Sequence, residues 1–346
     1  MRTTTGLALL APGGTLQPST IERRDLRPDD LAVRVTWCGV CHTDLHAVQD
    51  AGSGPLVPGH EFVGVVSEVG TQVTRFAVGD TVAVGNIVDS CGTCASCRAG
   101  DEQFCAEFPT LTYGGRDRVD GSTTSGAYAG EYVVREGFAY ALPAGMDPAG
   151  AAPLMCAGVT VFEPLRRFGV GAGDRVGVVG LGGLGHLAVK FARAMGAEVS
   201  VFTTSQAKVE DARSLGVEDV VVSRDADAMA AVAGRFDVVL DTASAKHDLS
   251  PYLRSLRADG TLCVLGIPDR YEADPMALMQ GFKRLTASGS GGRPRTREML
   301  DFAAAHGISA DVEVVTPAEI TTAFERLGRG DVRWRFVLDT ASLAQA

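Results

Sequence analysis

The sequence predicts an α/β protein with two domains, one rich in β-strands and one built around a doubly wound parallel sheet. Short β-type runs separated by Gly, Pro or Asp fill the first half of the chain. From about Gly158 onward, strand patterns alternate with helical patterns, which is typical of βαβ units. The length of 346 residues favours two domains at a rough average of ~150 residues each.

The elements follow in chain order. In the first half, the β-type runs are residues 31–37, 62–69, 81–84 and 130–134. In the second half, strands are predicted at 175–179, 198–202, 219–222, 238–241 and 261–265, and the first helix at 184–195. After about Arg293 the pattern is less regular, with helices predicted at 297–305 and 317–327 and a strand at 335–339.

Composition excludes several classes of protein. Hydrophobic residues make up 45% of the chain and charged residues 21%, which are ordinary proportions for a globular protein. Because the net charge is −10 and no basic stripe is present, we expect neither nucleic acid nor membrane as a partner. Neither a membrane span nor a secretory leader is predicted. Eight cysteines are too few for a disulfide scaffold, so we expect a cytoplasmic protein with reduced thiols.

A phosphate-binding motif follows the first strand of the second half. The run Gly180-Leu181-Gly182-Gly183-Leu184-Gly185 fits G-x-G-x-x-G and opens a predicted helix. Gly180 permits the tight turn, Gly182 lets a pyrophosphate approach the backbone, and Gly185 allows the helix to pack closely on the strand. The start of the helix offers unpaired N–H groups to the phosphates. The motif therefore predicts a dinucleotide site.

The end of the second strand in that region indicates which dinucleotide binds. NAD sites usually place Asp or Glu there, where the carboxylate holds the ribose 2′-hydroxyl. Here the strand is followed by Thr203, Thr204 and Ser205, with Lys208 three residues later. Hydroxyls and an ammonium can donate hydrogen bonds to a 2′-phosphate, so NADP(H) is favoured. The alternative is a polar loop with a solvated lysine.

Four cysteines are clustered as Cys91-x2-Cys94-x2-Cys97-x7-Cys105. Four thiolates at this spacing can close around a tetrahedral zinc ion and leave no open position, which indicates a structural site. An iron–sulfur cluster is the alternative, because the first three cysteines share its spacing. The wider last interval and the absence of Pro after Cys105 favour zinc.

A second group of candidate ligands is spread along the chain. A catalytic zinc ion needs about three N or S ligands and an open position, which Cys41, His60 and Cys156 could supply. Cys38-x2-Cys41 could also be a redox pair, but no βαβ pattern surrounds it. Separation in sequence does not show whether the three residues meet.

With these motifs in place, the chain resembles the zinc-dependent medium-chain alcohol dehydrogenases. The resemblance rests on residues 38–46, 57–69, 91–105, 153–164 and 178–195, which occur in the order of the family. Residues 203–208 (TTSQAK) and 323–339 (AFERLGRGDVRWRFVLD) are most similar to its NADP-dependent, cinnamyl alcohol dehydrogenase-type branch.

The resemblance implies a GroES-like catalytic domain formed by residues 1–156 and 295–346, with a Rossmann NADP-binding domain, residues 157–294, inserted between them. It implies two zinc ions per chain and a homodimer. Cys41, His60 and Cys156 would be the catalytic ligands. Glu61 would lie beside the metal as a neighbour or an exchanging ligand, and Asp44 would orient His60.

The resemblance also assigns roles to residues next to Cys41. His42 would lie near the cofactor pyrophosphate, Thr43 would hydrogen-bond the substrate oxygen, and His46 would pass the proton to solvent through the nicotinamide ribose. One segment departs from the family: residues 288–293 (SGSGGR) are glycine-rich where a bulkier apolar residue is usual, near the interdomain hinge and dimer region. This affects the predicted pocket shape and dimer contacts.

The expected function is NADP(H)-dependent oxidation of alcohols and, mainly, reduction of aromatic or medium-chain aliphatic aldehydes. Two alternatives remain. One is reduction of an imine or an activated double bond on the same scaffold, and the other is a non-enzymatic NADP-binding sensor. The Thr43 and His46 relay and the three zinc ligands favour the first function.

Overall fold

The computed structural model describes residues 1–52 and 54–345, which form two compact units. The first unit contains Met1–Cys156 and Gly291–Ala346, and the second contains Ala157–Ser290. The domain boundaries inferred from the sequence stay a prediction, because compactness alone does not show that a unit folds independently.

The longer segment of the first unit is mostly β-structure. Its strands are β1 (Arg2–Leu9), β2 (Leu16–Arg23), β3 (Asp30–Val40), β4 (Phe62–Val69), β5 (Thr81–Val84), β6 (Ile87–Asp89), β7 (Thr110–Leu111), β8 (Glu131–Arg135) and β9 (Ala139–Ala141). Its helices are short: α1 (His42–Gln49), α2 (Ala95–Ala99) and α3 (Pro148–Ala151).

The second unit alternates helices and strands. Its elements are α4 (Ala157–Arg167), β10 (Arg175–Val179), α5 (Gly185–Ala194), β11 (Glu198–Thr203), α6 (Val209–Ser214), β12 (Asp219–Val222), α7 (Ala226–Ala231), β13 (Phe236–Asp241), α8 (Ser250–Ser255), β14 (Leu256–Val264), α9 (Pro275–Met279) and β15 (Arg284–Ala287). The chain then returns to the first unit with α10 (Arg293–Ala305), β16 (Val312–Val315), α11 (Ile320–Gly328) and β17 (Arg335–Asp339).

The sheet of the first unit depends on the long strand β3. The strand order is β16-β17-β3-β4-β5-β9, and β8 also pairs with β3. The first half of β3 pairs antiparallel with β8, while its second half pairs with β17, so that Phe336 faces Val40. This second pairing explains why β3 runs past the predicted end at residue 37. Phe62 of β4 and Phe336 of β17, the strands that pair with β3, are fully buried. Burial of each such side chain contributes about 1.5–3 kcal/mol to the stability of the fold.

The sheet of the second unit is entirely parallel, in the order β12-β11-β10-β13-β14-β15. The direction of strand addition reverses between β10 and β13, which makes this pair the switch point of a doubly wound fold. The predicted α/β class, with one β-rich and one doubly wound part, is confirmed. Among the helices of the described residues, none is both long and apolar enough to span a bilayer.

Two features of the fold differ from the sequence prediction. The hairpin β1–β2 was not predicted, because Pro18 lowers the strand signal. In the structure, Pro18 lies opposite Leu7 in this two-stranded sheet, where its missing N–H is tolerated. Helix α10 begins at Arg293 rather than at 297, because Pro294 occupies its first turn, where a proline has no lost hydrogen bond.

The glycine-rich segment has a packing reason within the first unit. A Cβ atom on Gly292 would lie 1.8 Å from the carbonyl oxygen of Gly100, so only glycine fits there. The next residue, Arg293, donates its backbone N–H to Oε2 of Glu102 at 2.8 Å and its Nε to Oε1 at 2.6 Å. Glu102 is 1% exposed, so this ion pair compensates a buried carboxylate and anchors the start of α10.

We expect Gly292→Ala to destabilise the protein by about 1–3 kcal/mol, the range for overpacking, because the added methyl group meets backbone that cannot move aside. Thermal denaturation measures the effect. Gly289→Ala is the matched control, since a Cβ atom on Gly289 has no neighbour within 4 Å. Equal melting temperatures for the two variants would contradict this explanation.

Candidate metal and cofactor sites

The four clustered cysteines converge in the structure. The sulfur atoms of Cys91, Cys94, Cys97 and Cys105 all lie within 4.8 Å of one another. Sγ of Cys91 and Sγ of Cys97 are 3.8 Å apart. Zinc–sulfur bonds of about 2.3 Å in a tetrahedron require sulfur atoms about 3.8 Å apart, so the spacing fits zinc. Four protein ligands leave no position for a substrate.

Backbone N–H groups prepare this cluster for a cation. Cys94 N donates to Sγ of Cys91 at 3.4 Å, and Cys97 N and Ala106 N donate to Sγ of Cys94 at 3.4 and 3.5 Å. The bond from Cys94 is the main reason why the pKa of Cys91 falls to about 6. The thiolate of Cys91 is stabilised in this way, whereas burial raises the pKa of Cys97 to about 11, so a cation would displace a proton from Cys97.

The second ligand group also comes together, although its members are far apart in sequence. Donor atoms of Cys41, His60 and Cys156 lie within 4.8 Å of one another. Cys41 is the N-cap of α1, and Cys156 ends the turn of 3₁₀-helix Ala152–Met155. Three donors of N and S type leave one tetrahedral position open, which distinguishes this site from the four-cysteine site.

Asp44 holds two of these ligands in place. Its fully buried carboxylate accepts hydrogen bonds from Cys41 N at 3.0 Å, from Gly59 N at 2.9 Å and from Nδ1 of His60 at 3.0 Å. With Nδ1 committed to Asp44, Nε2 of His60 is the atom available to a metal. Burial lowers the pKa of His60, but Asp44 outweighs burial and raises it well above the usual value. A cation in the site would replace that proton.

The protonation states of the Cys41 and Cys156 thiols depend on each other. Contact with Cys156 lowers the pKa of Cys41 well below its usual value, and the same contact raises the pKa of Cys156. The pair therefore holds one proton between two sulfurs, and a divalent cation would release it. The donor set of two sulfurs and one imidazole fits zinc.

A buried ion pair lies beside these ligands. Glu61 accepts a hydrogen bond at Oε1 from Nη2 of Arg335, and the two residues are 0% and 5% exposed. Burial raises the pKa of Glu61 to about 8, while Arg335 acts in the opposite direction. The sequence analysis placed Glu61 near the metal but missed Arg335. Its signal is a charged residue directly before the apolar run Phe336 to Leu338 of strand β17.

The other residues predicted on α1 are exposed. Thr43 Oγ1 lies 3.7 Å from Sγ of Cys41, so its hydroxyl is next to a metal ligand. His46 is one turn further along α1, and its ring centroid lies 6.4 Å from that of His42. Tyr113, which was not predicted, packs edge-on against His60 at 5.8 Å. The structure thus places Thr43 beside the ligands and both histidines at the surface.

The glycine motif has the geometry that a pyrophosphate requires. Gly180, at the end of β10, has a φ of +84°, which is left-handed backbone. A Cβ atom on Gly182 would have no neighbour within 4 Å, so space is open above this residue. A Cβ atom on Gly185 would lie 2.1 Å from the carbonyl oxygen of Gly180, which explains the close approach of α5 to the turn. Gly183 and Leu184 complete the turn before α5.

The residues predicted to bind a 2′-phosphate divide into two groups. Thr203 is buried, and its Oγ1 accepts a hydrogen bond from Ser205 N at 3.2 Å, so this hydroxyl shapes the turn. Thr204 is exposed and Ser205 is half-buried. Nζ of Lys208 donates to the carbonyl oxygen of Leu181 at 3.3 Å, which brings its ammonium next to the glycine motif.

Comparisons with known proteins identify the family of this chain. Residues 27–144 match the family model for the alcohol dehydrogenase GroES-like domain, and residues 183–305 match the zinc-binding dehydrogenase model. A probable cinnamyl alcohol dehydrogenase from Oryza sativa subsp. japonica is 46% identical over 99% of this chain and 96% of its own length. An NADP-dependent alcohol dehydrogenase from Mycolicibacterium smegmatis is 44% identical over 99% of both chains.

Solved structures show the same relationship. A cinnamyl alcohol dehydrogenase from Sorghum bicolor superposes with a TM-score of 0.95 and 43% identity, covering 98% of each chain. A GroES-like part with two cysteine-rich metal sites, combined with a doubly wound dinucleotide part, defines a zinc-binding dehydrogenase. The chain belongs to the zinc-dependent medium-chain alcohol dehydrogenase family, in its cinnamyl alcohol dehydrogenase-type branch.

We expect Asp44→Asn to weaken zinc binding at the three-ligand site by about 10–100-fold, because the amide cannot accept all three hydrogen bonds. Zinc release during titration with a chelator measures this change, and the four-cysteine site is the internal reference. Asp50→Asn, at the exposed end of α1, is the control. Release of both zinc ions at the wild-type chelator concentrations would contradict the role of Asp44.

Proposed function

We propose that this protein is a zinc-dependent NADP(H) alcohol dehydrogenase that works mainly as an aldehyde reductase. The observation that carries the proposal is the cluster of Cys41, His60 and Cys156, braced by Asp44, with one coordination position left open. A purely structural site would close all four positions, as the four-cysteine cluster does. An open position is what a substrate oxygen needs.

The cofactor proposal rests on the second unit. The glycine motif offers space for a pyrophosphate, and the six residues Thr203 to Lys208, which are the last residue of β11 and the five after it, include no carboxylate. Lys208 supplies an ammonium beside the motif. A 2′-phosphate would be repelled by a carboxylate and attracted by the ammonium, so NADP(H) is preferred over NAD(H). The name of the M. smegmatis relative, an NADP-dependent enzyme, supports this preference.

The residues of the chain divide the work of the reaction. When bound, zinc supplies a Lewis acid for a carbonyl oxygen and NADPH supplies the hydride. Asp44 keeps His60 in one orientation, and the paired thiols of Cys41 and Cys156 provide negative charge. Thr43 holds a proton at Oγ1 beside Cys41 and donates it to the substrate oxygen as the alcohol forms. His46, exposed on the same helix, exchanges the proton with solvent.

Glu61 and Arg335 set the charge around the ligands. Two thiolates and two carboxylates, Asp44 and Glu61, would place excess negative charge on a single divalent cation. Arg335 offsets one of these charges by pairing with Glu61. A buried pair of this kind costs much when one partner is removed, because the other charge then stays buried alone.

For the substrate we propose aromatic and medium-chain aliphatic aldehydes, and we propose a homodimer in the cytoplasm. The names of the rice and sorghum relatives refer to cinnamyl alcohol, an aromatic allylic alcohol. All eight cysteines are free thiols in the structure, as a reducing compartment and two thiolate-rich metal sites require. The dimer follows from the resemblance to the family.

The function is tested by oxidation of the reduced cofactor in the presence of an aldehyde panel. We expect NADPH absorbance to fall with cinnamaldehyde, benzaldehyde and hexanal, and to fall much more slowly with NADH. Substitution of Lys208 by alanine should raise KM for NADPH much more than KM for NADH, because only NADPH carries the 2′-phosphate that the ammonium would recognise.

Each other outcome identifies an alternative. Turnover with a cyclic imine or an enone and not with aldehydes would replace the proposal by reduction of C=N or C=C bonds. Binding of NADPH without turnover of any substrate would indicate a sensor. A preference for NADH would overturn the cofactor assignment.

We expect Thr43→Ala to lower kcat for aldehyde reduction by about 10²–10⁴-fold while NADPH binds as in the wild type, because only the proton donor is removed. Thr43→Ser keeps the hydroxyl and should retain most of the rate. Stopped-flow kinetics for kcat and fluorescence titration for NADPH make the comparison. Similar rates for the alanine and serine variants would contradict the assignment of Thr43 as the proton donor.

A further inference from the structure

A buried carboxylate at the end of β13 has a partner that neither the zinc sites nor the glycine motif explains. Asp241 is the last residue of β13 and is 0% exposed. Its Oδ1 accepts a hydrogen bond from Ala243 N at 3.1 Å. Its Oδ2 accepts no hydrogen bond within the described residues, but it forms an ion pair with Nε2 of His247 at 3.1 Å. The imidazole therefore compensates this buried charge.

The groups around His247 favour its protonated form. Nδ1 lies 2.8 Å from the carbonyl oxygen of Ala245, and Nε2 faces the carboxylate of Asp241. Both partners are acceptors, and neutral imidazole has only one N–H, so one of its lone pairs would face an oxygen. The imidazolium form presents an N–H to the carbonyl oxygen of Ala245 and a positive charge to the carboxylate of Asp241. In agreement, the contact with Asp241 raises the pKa of His247 although burial opposes it.

The neighbouring charged groups leave His247 as the cation that compensates the carboxylate of Asp241. Asp248 is nearby and accepts hydrogen bonds at Oδ1 from the N–H and hydroxyl of Ser250. The ammonium of Lys246 is paired with Glu272 at 2.8 Å. From α8, the ring of Tyr252 packs edge-on against His247 at 5.7 Å. The negative charge of Asp248 also raises the pKa of His247, so it favours the imidazolium as well.

The pair closes a loop at the switch point of the parallel sheet. Residues 242–248 follow β13, next to the end of β10, where ligands bind in doubly wound folds. Thr242 Oγ1 donates to the carbonyl oxygen of Val179 at 2.8 Å and also contacts that of Gly180 at 3.2 Å. One end of the loop is thus bonded to the first glycine of the motif. The contacts of His247 with Asp241 and Ala245 fold the other end back onto β13.

We propose that the Asp241–His247 ion pair is a positioning element of the dinucleotide site, which keeps loop 242–248 folded against Gly180 in the conformation that receives the cofactor. The proposal rests on the NADP(H) binding proposed above. It assigns His247 no contact with the cofactor and no part in hydride transfer. Its effect is to avoid the cost of ordering the loop on binding, because the loop is ordered beforehand.

The test compares NADPH dissociation constants of His247→Gln, Asp241→Asn and the double variant by fluorescence titration. We expect each single variant to bind NADPH roughly 5–20-fold more weakly, and the double variant to be no weaker than the singles, since they lose one shared interaction. Values of kcat at saturating NADPH and zinc content should match the wild type. Lys246→Gln is the control, because it removes a neighbouring charge and leaves the pair intact.

A pH series on the wild type supplies a readout that needs no variant. Since the pKa of His247 is raised in the folded protein, the pair is complete at low pH and is lost as pH rises through that raised value. The NADPH dissociation constant should rise with pH in the wild type more steeply than in His247→Gln. Equal dissociation constants for the wild type and His247→Gln at all pH values would overturn the proposal. A wild type that binds no NADPH would instead overturn the proposed cofactor.

Discussion

One buried carboxylate organises the open metal site. Asp44 receives the N–H groups of Cys41 and Gly59 and the imidazole of His60, so helix α1, the segment before β4 and a ligand meet at one side chain. Because Thr43 and His46 lie on the same helix, the residues proposed to carry the proton take their positions from this carboxylate as well. Removing it would leave three buried donors without an acceptor, which costs more than any one hydrogen bond contributes.

The same constraint recurs at the ends of other strands. Glu61 precedes β4 and is paired with Arg335, while Asp241 ends β13 and is paired with His247. Each carboxylate is fully buried, and each is compensated by a cation from a different element or loop. Burial of an unpaired charge is unfavourable, so each pair ties two chain segments together at a functional position. In the four-cysteine site, backbone N–H groups stabilise the negative charge on the thiolates of Cys91 and Cys94 before metal binds.

Predictions from the sequence succeeded where the chemistry is local. Cys91 to Cys105 lie within one short segment, so their spacing alone indicated a closed tetrahedral site, and the sulfur distances agree with it. The glycine motif is equally local, because strand, turn and helix follow one another. The ligands Cys41, His60 and Cys156 are far apart, and their grouping came from the resemblance to a family. For Thr203, the residue type alone suggested a contact with the 2′-phosphate, whereas in the structure its hydroxyl accepts a hydrogen bond within its own turn.

The sequence by itself determined the class of fold, the four-cysteine ligand set and the dinucleotide motif, because each depends on residue type and on spacing along the chain. That Cys41, His60 and Cys156 meet is decided by the tertiary structure. Only the tertiary structure decided which charges meet. Arg335 reaches Glu61 across 274 positions because β17 returns to pair with β3, and no local pattern encodes that pairing. His247 is near Asp241 in sequence, yet its contact depends on how loop 242–248 folds back. Long-range burial selects such partners, since a charge excluded from water must find compensation wherever the fold places it.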